Sequence, residues 1–196
     1  PQNMKPYEIV VFLSGLERSW SGSKFNMRVD ECRSAAYALK AYAGMDYGKF
    51  AETNLREVPY EIYLKYKDRL PLNWAKRAEH WYGEYKRVEA GAEAYRRGDI
   101  EEFGRLSFES GKSSIVNWET GSPELIRLYD IMTETDGIYG GRFSGAGFKG
   151  CCMAIINPEK EASVLETVKR EYLKAFPHLA DRYSAHVCHT ADGVRL

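Results

Sequence analysis

The sequence predicts an α+β fold, a small and mostly antiparallel sheet with helices packed on one side. Three observations carry this. Four short runs read as strands, Tyr7–Leu13, which is rich in β-branched and aromatic residues, then Ile138–Phe143, Cys151–Ile156 and a last one near Ser184–Cys188. Helical spacings fill the middle of the chain. No Pro/Ser/Gly-rich linker and no internal repeat divides the 196 residues, so residues 1–196 read as one domain.

Each element has a local reason. Tyr7-Glu8-Ile9-Val10-Val11-Phe12-Leu13 is short and apolar, a buried strand that ends at Ser14-Gly15. A polar loop follows through Ser19-Trp20-Ser21-Gly22-Ser23, and then Val29, Cys32, Ala36, Leu39 and Ala43 fall three or four apart, with Gly44 as the stop. Pro59 suits a first helical turn and opens a short helix over Tyr60–Lys67. Between Leu72 and Tyr95, the residues Trp74, Ala78, Trp81, Tyr85, Val88, Ala92 and Tyr95 form one long stripe, which is assigned to the core. Gly98-Asp99 closes that helix, and Asp99 caps the next, where Phe103, Leu106 and Ser110 share a face. Ser122-Pro123-Glu124 and Asn157-Pro158-Glu159 are two helix starts, each a cap, a first-turn proline and an acid in order.

Composition excludes several classes. Lys and Arg total 28 against 28 Asp and Glu, which argues against nucleic-acid binding through a general basic field. At 29% charged and 44% hydrophobic the chain is not disordered in composition. The longest apolar runs, Ile9–Leu13 and Cys151–Ile156, fall far short of a membrane span. Cys32, Cys151, Cys152 and Cys188 form no CxxC pair, and no signal peptide is visible, so a reducing cytoplasm is expected. The start, Pro1-Gln2-Asn3, lacks an initiator Met and reads as a piece of something longer.

The segment richest in chemistry is Arg142-Phe143-Ser144-Gly145-Ala146-Gly147-Phe148-Lys149-Gly150-Cys151-Cys152. Its Gly145-x-Gly147-x-x-Gly150 matches the dinucleotide fingerprint as text, but that fingerprint must open a helix, and a strand follows here. The protein-kinase glycine loop is excluded too, since its companion lysine strand and catalytic loop are missing. What remains is a glycine-rich hairpin whose backbone can approach something closely, and three glycines exceed what a turn needs. Ser110-Gly111-Lys112-Ser113 resembles the tail of a phosphate loop, but Leu106 stands where its first glycine belongs and the stretch reads as helix. His186 and Cys188 share a strand face without the second pair that a zinc site needs, so no metal site is assigned. Cys151 and Cys152 read as small core residues, and Asp30-Glu31 and Glu101-Glu102 as solvated helix faces.

Several segments, in order, resemble the C-terminal half of the GHMP sugar kinases, in particular the galactokinase family. Gly140 through Cys151 resembles that family's third motif. Phe25-Asn26-Met27-Arg28-Val29-Asp30-Glu31-Cys32 resembles its Tyr-Asn-x-Arg segment, and Lys76-Arg77-Ala78-Glu79-His80 its Arg-Ala-x-His helix. Gly98-Asp99 through Leu106, Ser122–Leu125 and Ala191-Asp192-Gly193 complete the order. Within the family the likeness runs toward the galacturonokinase branch, with galactokinase as its neighbour. The resemblance implies a ferredoxin-like sheet. It also implies transfer of the γ-phosphoryl of ATP, with Mg²⁺, to the anomeric hydroxyl of galactose or galacturonate. Phe25, Ser144, Gly145, Ala146, Gly147, Phe148 and Lys149 would border the sugar. The chain shows neither the family's first motif nor its Gly-Leu-Ser-Ser-Ser loop, and the catalytic Asp and Arg belong with them. The resemblance therefore assigns no catalytic residue here, makes the N-terminal half of the same kinase the partner, and implies that the isolated chain is inactive. Phe25 replaces the usual Tyr, and Lys149 stands where galactokinases usually have Gly. Lys149 reads either as a cation for a sugar carboxylate or as a solvated loop lysine. A catalytically silent sugar sensor and a stand-alone ligand-binding module are the alternatives.

Overall fold

A computed structural model describes residues 3–16 and 22–191, the side chains of 22–24 excepted. The chain divides into two compact units. One comprises Pro1–Ser19, Arg87–Ile115 and Thr120–Leu196, and the other Trp20–Lys86 and Val116–Glu119.

The first unit holds the sheet. Its strands are β1 (Glu8–Leu13), β2 (Ile138–Phe143), β3 (Cys151–Ile156) and β4 (Ser184–Cys188), arranged β2-β3-β1-β4 with every neighbour antiparallel. That order, with a helix between β1 and β2 and another between β3 and β4, is the ferredoxin-like arrangement expected. Val10 pairs with Ala154 and Phe12 with Cys152, placing these residues on one buried face. Two helices cover that face. α5 (Pro123–Glu134) contributes Leu125, Leu128, Tyr129, Ile131 and Met132, and α6 (Glu161–Ala175) contributes Val164, Val168 and Tyr172. The anticipated starts form as read. Ser122 Oγ accepts the Leu125 amide, and Asn157 Oδ1 accepts the Glu159 amide, although a 3₁₀ turn (Pro158–Lys160) precedes α6. Asp99 caps α4 (Ile100–Val116) by accepting the Glu102 amide. At the edge strand β2, α4 meets the other sheet face: Gly141 lies under Met132, while its neighbour Gly140 faces Gly104.

The second unit is all helical. It contains α1 (Gly22–Tyr42), α2 (Tyr60–Tyr66) and the first part of α3 (Leu72–Arg96), with 3₁₀ turns at Phe50–Glu52, Leu55–Glu57 and Lys67–Arg69. Ala35, Ala36, Leu39, Leu55, Val58, Tyr63, Leu70, Ala78 and Tyr82 form its core. Gly44 follows α1 with φ 66°, the left-handed stop expected of it. The loop anticipated over Ser19–Ser23 lies outside the described residues as far as Ser21, and Gly22 already belongs to α1. Asp192-Gly193 lies outside them too.

The stripe on α3 is corrected. Tyr85, Val88 and Tyr95 are exposed, and the buried positions are Arg77, Ala78, Tyr82, Gly91 and Ala94. Tyr82 displaces its neighbours because it satisfies both halves of its chemistry inside. Its ring stacks on Tyr63 at 4.2 Å, and its hydroxyl donates to the Val58 carbonyl at 2.8 Å.

Candidate functional site

The glycine-rich hairpin forms between β2 and β3, as the sequence requires. Its ends are pinned. The Ser144 amide donates to the Cys151 carbonyl at 3.0 Å, and both the amide and the hydroxyl of fully buried Ser14 donate to the Gly150 carbonyl, at 2.9 and 2.7 Å. The Ser14 carbonyl in turn accepts the Tyr172 hydroxyl at 2.7 Å, so α6 fixes the turn that holds the loop. Between the pinned ends the loop is bare. Among the described residues none of Gly145, Ala146, Gly147, Phe148 and Lys149 has a hydrogen-bond partner. A short run of unpaired amides on a rigid base is a ready acceptor site for anionic or hydroxyl oxygens.

The residues assigned to this loop do different jobs. Gly145, Ala146 and Lys149 are exposed, and Ser144 and Phe148 are half-buried. Gly145, Gly147 and Gly150 all have positive φ (72°, 75° and 113°), which explains the three glycines as backbone chemistry. Gly147 is buried, and a Cβ there would lie 2.6 Å from the Phe143 ring and 3.2 Å from the Thr120 hydroxyl. Its missing side chain makes room for the core. A Cβ on Gly145 would meet nothing within 4 Å, so the open approach belongs to Gly145.

Phe25 lies in the helical unit, near the start of α1, and is 49% exposed. The segment it heads does something the sequence reading missed. Glu31, read there as solvated, is buried. Its Oε2 accepts from Arg77 Nε at 2.6 Å and from Arg28 Nη1 at 3.1 Å. Arg77 is fully buried and also donates to the Asn117 carbonyl and to Glu119 Oε2, the latter at 2.6 Å. Arg28 Nε donates to the Trp118 carbonyl at 2.8 Å, and Lys76 Nζ to Glu119 Oε1 at 2.7 Å. The two landmark segments of α1 and α3 thus clamp the 117–119 turn. Glu119 is a non-glycine residue at positive φ (55°), a conformation the surrounding bonds hold in place. Hydrogen bonds from Lys76 and Arg77 lower its carboxyl to about 2. One signal for this cluster was available: Arg28 and Glu31 stand three apart on a helix.

The remaining candidates stay structural. Gly111, of the Ser110–Ser113 segment, sits mid-helix in α4, where a Cβ would lie 2.5 Å from the Tyr129 ring. Burial raises the Cys152 thiol strongly and pushes Cys32 up to about 11, so neither is an activated nucleophile. His186 shares a contact with Ser184 Oγ at 3.1 Å, and Cys188 Sγ with the His186 carbonyl. Among the described residues no helix is long and apolar enough to cross a membrane.

A sheet of this order carrying this hairpin defines a class. Residues 92–175 match the C-terminal domain of GHMP kinases, and the chain carries that domain. Its relatives narrow the branch. It is 40% identical over 201 residues to galacturonokinase of Arabidopsis thaliana, covering all of this chain and 47% of that protein. It is 32% identical over 188 residues to galactokinase of Roseiflexus sp., covering 95% of this chain and 45% of that one. Lactococcus lactis galactokinase, crystallised with galactose, superposes with a TM-score of 0.79 at 25% identity over 95% of this chain and 46% of that structure. The chain spans about half the length of these relatives and corresponds to the C-terminal part.

Proposed function

We propose that residues 1–196 act as one C-terminal module of an ATP-dependent sugar 1-kinase. In the longer protein the γ-phosphoryl group passes from ATP to the anomeric hydroxyl of galactose or galacturonate, giving a sugar 1-phosphate. The observation that carries this reading is the pinned hairpin with unpaired amides over Gly145–Lys149, in a chain whose relatives are galacturonokinase and galactokinases. The loop would present its amides and Ser144 to the sugar, with Gly145 allowing the closest approach and Phe148 closing the side. Lys149, exposed at the tip, would distinguish a carboxylate at C6 from a hydroxymethyl.

We place the site for ATP and Mg²⁺ mainly in the N-terminal half of the kinase. Gly111-Lys112-Ser113 is locked into α4, and among the described residues no group of three or more His, Cys, Asp or Glu is placed to hold a metal. No step of the transfer is assigned to them. That chemistry falls to the N-terminal half of the kinase, the proposed partner in a reducing cytoplasm, with no role for nucleic acid or membrane.

The test is sugar-dependent ADP formation, measured with the chain alone and then with an N-terminal half added or fused. Turnover is expected only in the second case. Turnover by the isolated chain at ordinary kinase rates, or none in the fusion with either sugar, overturns the reading.

A further inference from the structure

The helical unit encloses more than its charge cluster. Side chains of α1, of the 53–57 turn, of α3 and of the 117–119 turn line a cleft of about 530 Å³, within the usual range for small-molecule sites. Its walls are aromatic: Trp81, Trp118 and, at one side, Phe25. The Trp118 wall is fixed. Its carbonyl takes the Arg28 Nε proton, and its ring lies 5.0 Å from that of His80.

The polar lining is cationic. Arg33 and Arg56 both border the cleft. Arg33 Nε is out of solvent and has no hydrogen-bond partner, while Nη1 reaches Asp30 Oδ1 only at 3.4 Å. A guanidinium N–H desolvated without an acceptor is unfavourable, and a carboxylate oxygen would satisfy it. The acid of the lining does not neutralise the arginines, because Glu57 is already bonded to Lys40 and Asn54. The Cys32 thiol, raised by burial, stays uncharged near neutral pH.

We propose that this cleft binds a small ring-bodied carboxylate, its ring against Trp81 and Trp118 and its carboxylate on Arg33. A sugar acid offers an indole its C–H face and an aromatic acid its π face. Both share the carboxylate that a guanidinium fork recognises. The proposal does not rest on the kinase reading, since binding by the chain itself is measured.

The 196-residue chain is titrated with D-galacturonate, benzoate, D-galactose and acetate, followed by indole fluorescence and calorimetry. At least one ring acid is expected to bind saturably, with galactose and acetate weaker by about tenfold or more. Arg33→Gln should weaken the ring acid by about tenfold or more and Arg33→Lys by less, with thermal unfolding confirming that each variant folds. Arg56→Gln, at an exposed rim position, gives a second reading that cannot be confused with unfolding, and a severalfold loss is expected. The proposal is overturned by no saturable binding of either acid or by galactose binding as well as galacturonate. It is equally overturned by affinity that follows Lys149 and not the arginines.

Discussion

Gly104 of α4 and Gly140 of β2 touch backbone to backbone: a Cβ on either would overlap the other's segment, Tyr139 and its carbonyl on one side and Gly104 on the other. Helix propensity alone favours Ala over Gly by about 1 kcal/mol in a helix interior. Here sterics win, because backbone atoms cannot rotate away. Gly104→Ala should destabilise the chain by roughly 1–3 kcal/mol in urea unfolding. Gly91→Ala supplies the contrast. Its Cβ would meet Phe103 at an ordinary 3.6 Å, so it should be neutral or stabilising by up to about 1 kcal/mol. Equal effects at the two positions would mean that the α4–β2 contact is looser than it stands here.

Arg77 and Glu31 form a buried pair, 0% and 9% exposed, and removing either leaves the other desolvated with only its remaining charged partner, Arg28 for Glu31 or Glu119 for Arg77. Arg77→Ala and Glu31→Ala should each cost about 3–5 kcal/mol. The double variant should cost clearly less than the sum, since no unpaired charge remains between them. Additive losses in a double-mutant cycle would show that the two contribute separately.

The strands were legible to within about a residue, Tyr7–Leu13 read against Glu8–Leu13 formed, because each is a short run between breakers, as with Cys151–Ile156 before Asn157-Pro158. The capped helix starts were legible because Ser122, Asp99 and Asn157 act on their own next turns. Long-range burial was not. The α3 stripe points partly to solvent because Tyr82 finds Val58 and Tyr63, segments that sequence spacing cannot connect. Glu31 looks solvated beside Asp30 until Arg77, 46 residues on, reaches it. The hairpin lies between: its glycines announce the loop, but only Phe143 and Thr120 reveal that Gly147 faces inward.

Glu119 links the cluster to pH. Its carboxyl falls from 4.5 to about 2 on folding, through bonds from Lys76 and Arg77. A depressed carboxylate stabilises the fold above its unfolded pKa and loses that contribution as pH falls toward the folded one. Stability should therefore decline between about pH 4.5 and 2. Because the side chain is 36% exposed, screening limits its share to on the order of 1 kcal/mol. Glu119→Gln should flatten that part of the stability–pH curve while lowering the plateau near neutrality. An unchanged acid limb would remove Glu119 as its source.

The hairpin glycines should separate packing from ligand approach. Gly147→Val puts a branched side chain at positive φ against Phe143, and a loss of roughly 2–4 kcal/mol in stability is expected. Gly145→Ala keeps only the left-handed penalty, about 1–2 kcal/mol. If the loop meets the sugar, Gly145→Ala in the longer kinase should lower kcat/KM per folded molecule by about tenfold or more. A Gly145 variant with full activity would return the loop to a purely structural role.

Lys149 is proposed as the residue on which the choice of sugar turns. Galactose and galacturonate differ at C6, a neutral hydroxymethyl against a carboxylate, and only the second gains from a nearby ammonium. Removing a carboxylate from water without a partner is unfavourable. A charge-assisted hydrogen bond offsets it by roughly 1.5–3 kcal/mol, about ten- to a hundredfold in discrimination. Lys149 is exposed, lies between Gly147 and Gly150 on a loop pinned through Ser14, and has no hydrogen-bond partner among the described residues, so its ammonium is available without breaking an existing bond. In the longer kinase galacturonate should be preferred, and Lys149→Gly should shift the ratio of kcat/KM values toward galactose by about tenfold or more while leaving Tm nearly unchanged. Arg33→Gln serves as the control for the cleft in the helical unit, and a shift produced by Arg33 alone would move the reading of the carboxylate there. A parent enzyme that prefers galactose, or a ratio unmoved by Lys149→Gly, would leave Lys149 a solvated loop lysine and make galactose the better substrate assignment.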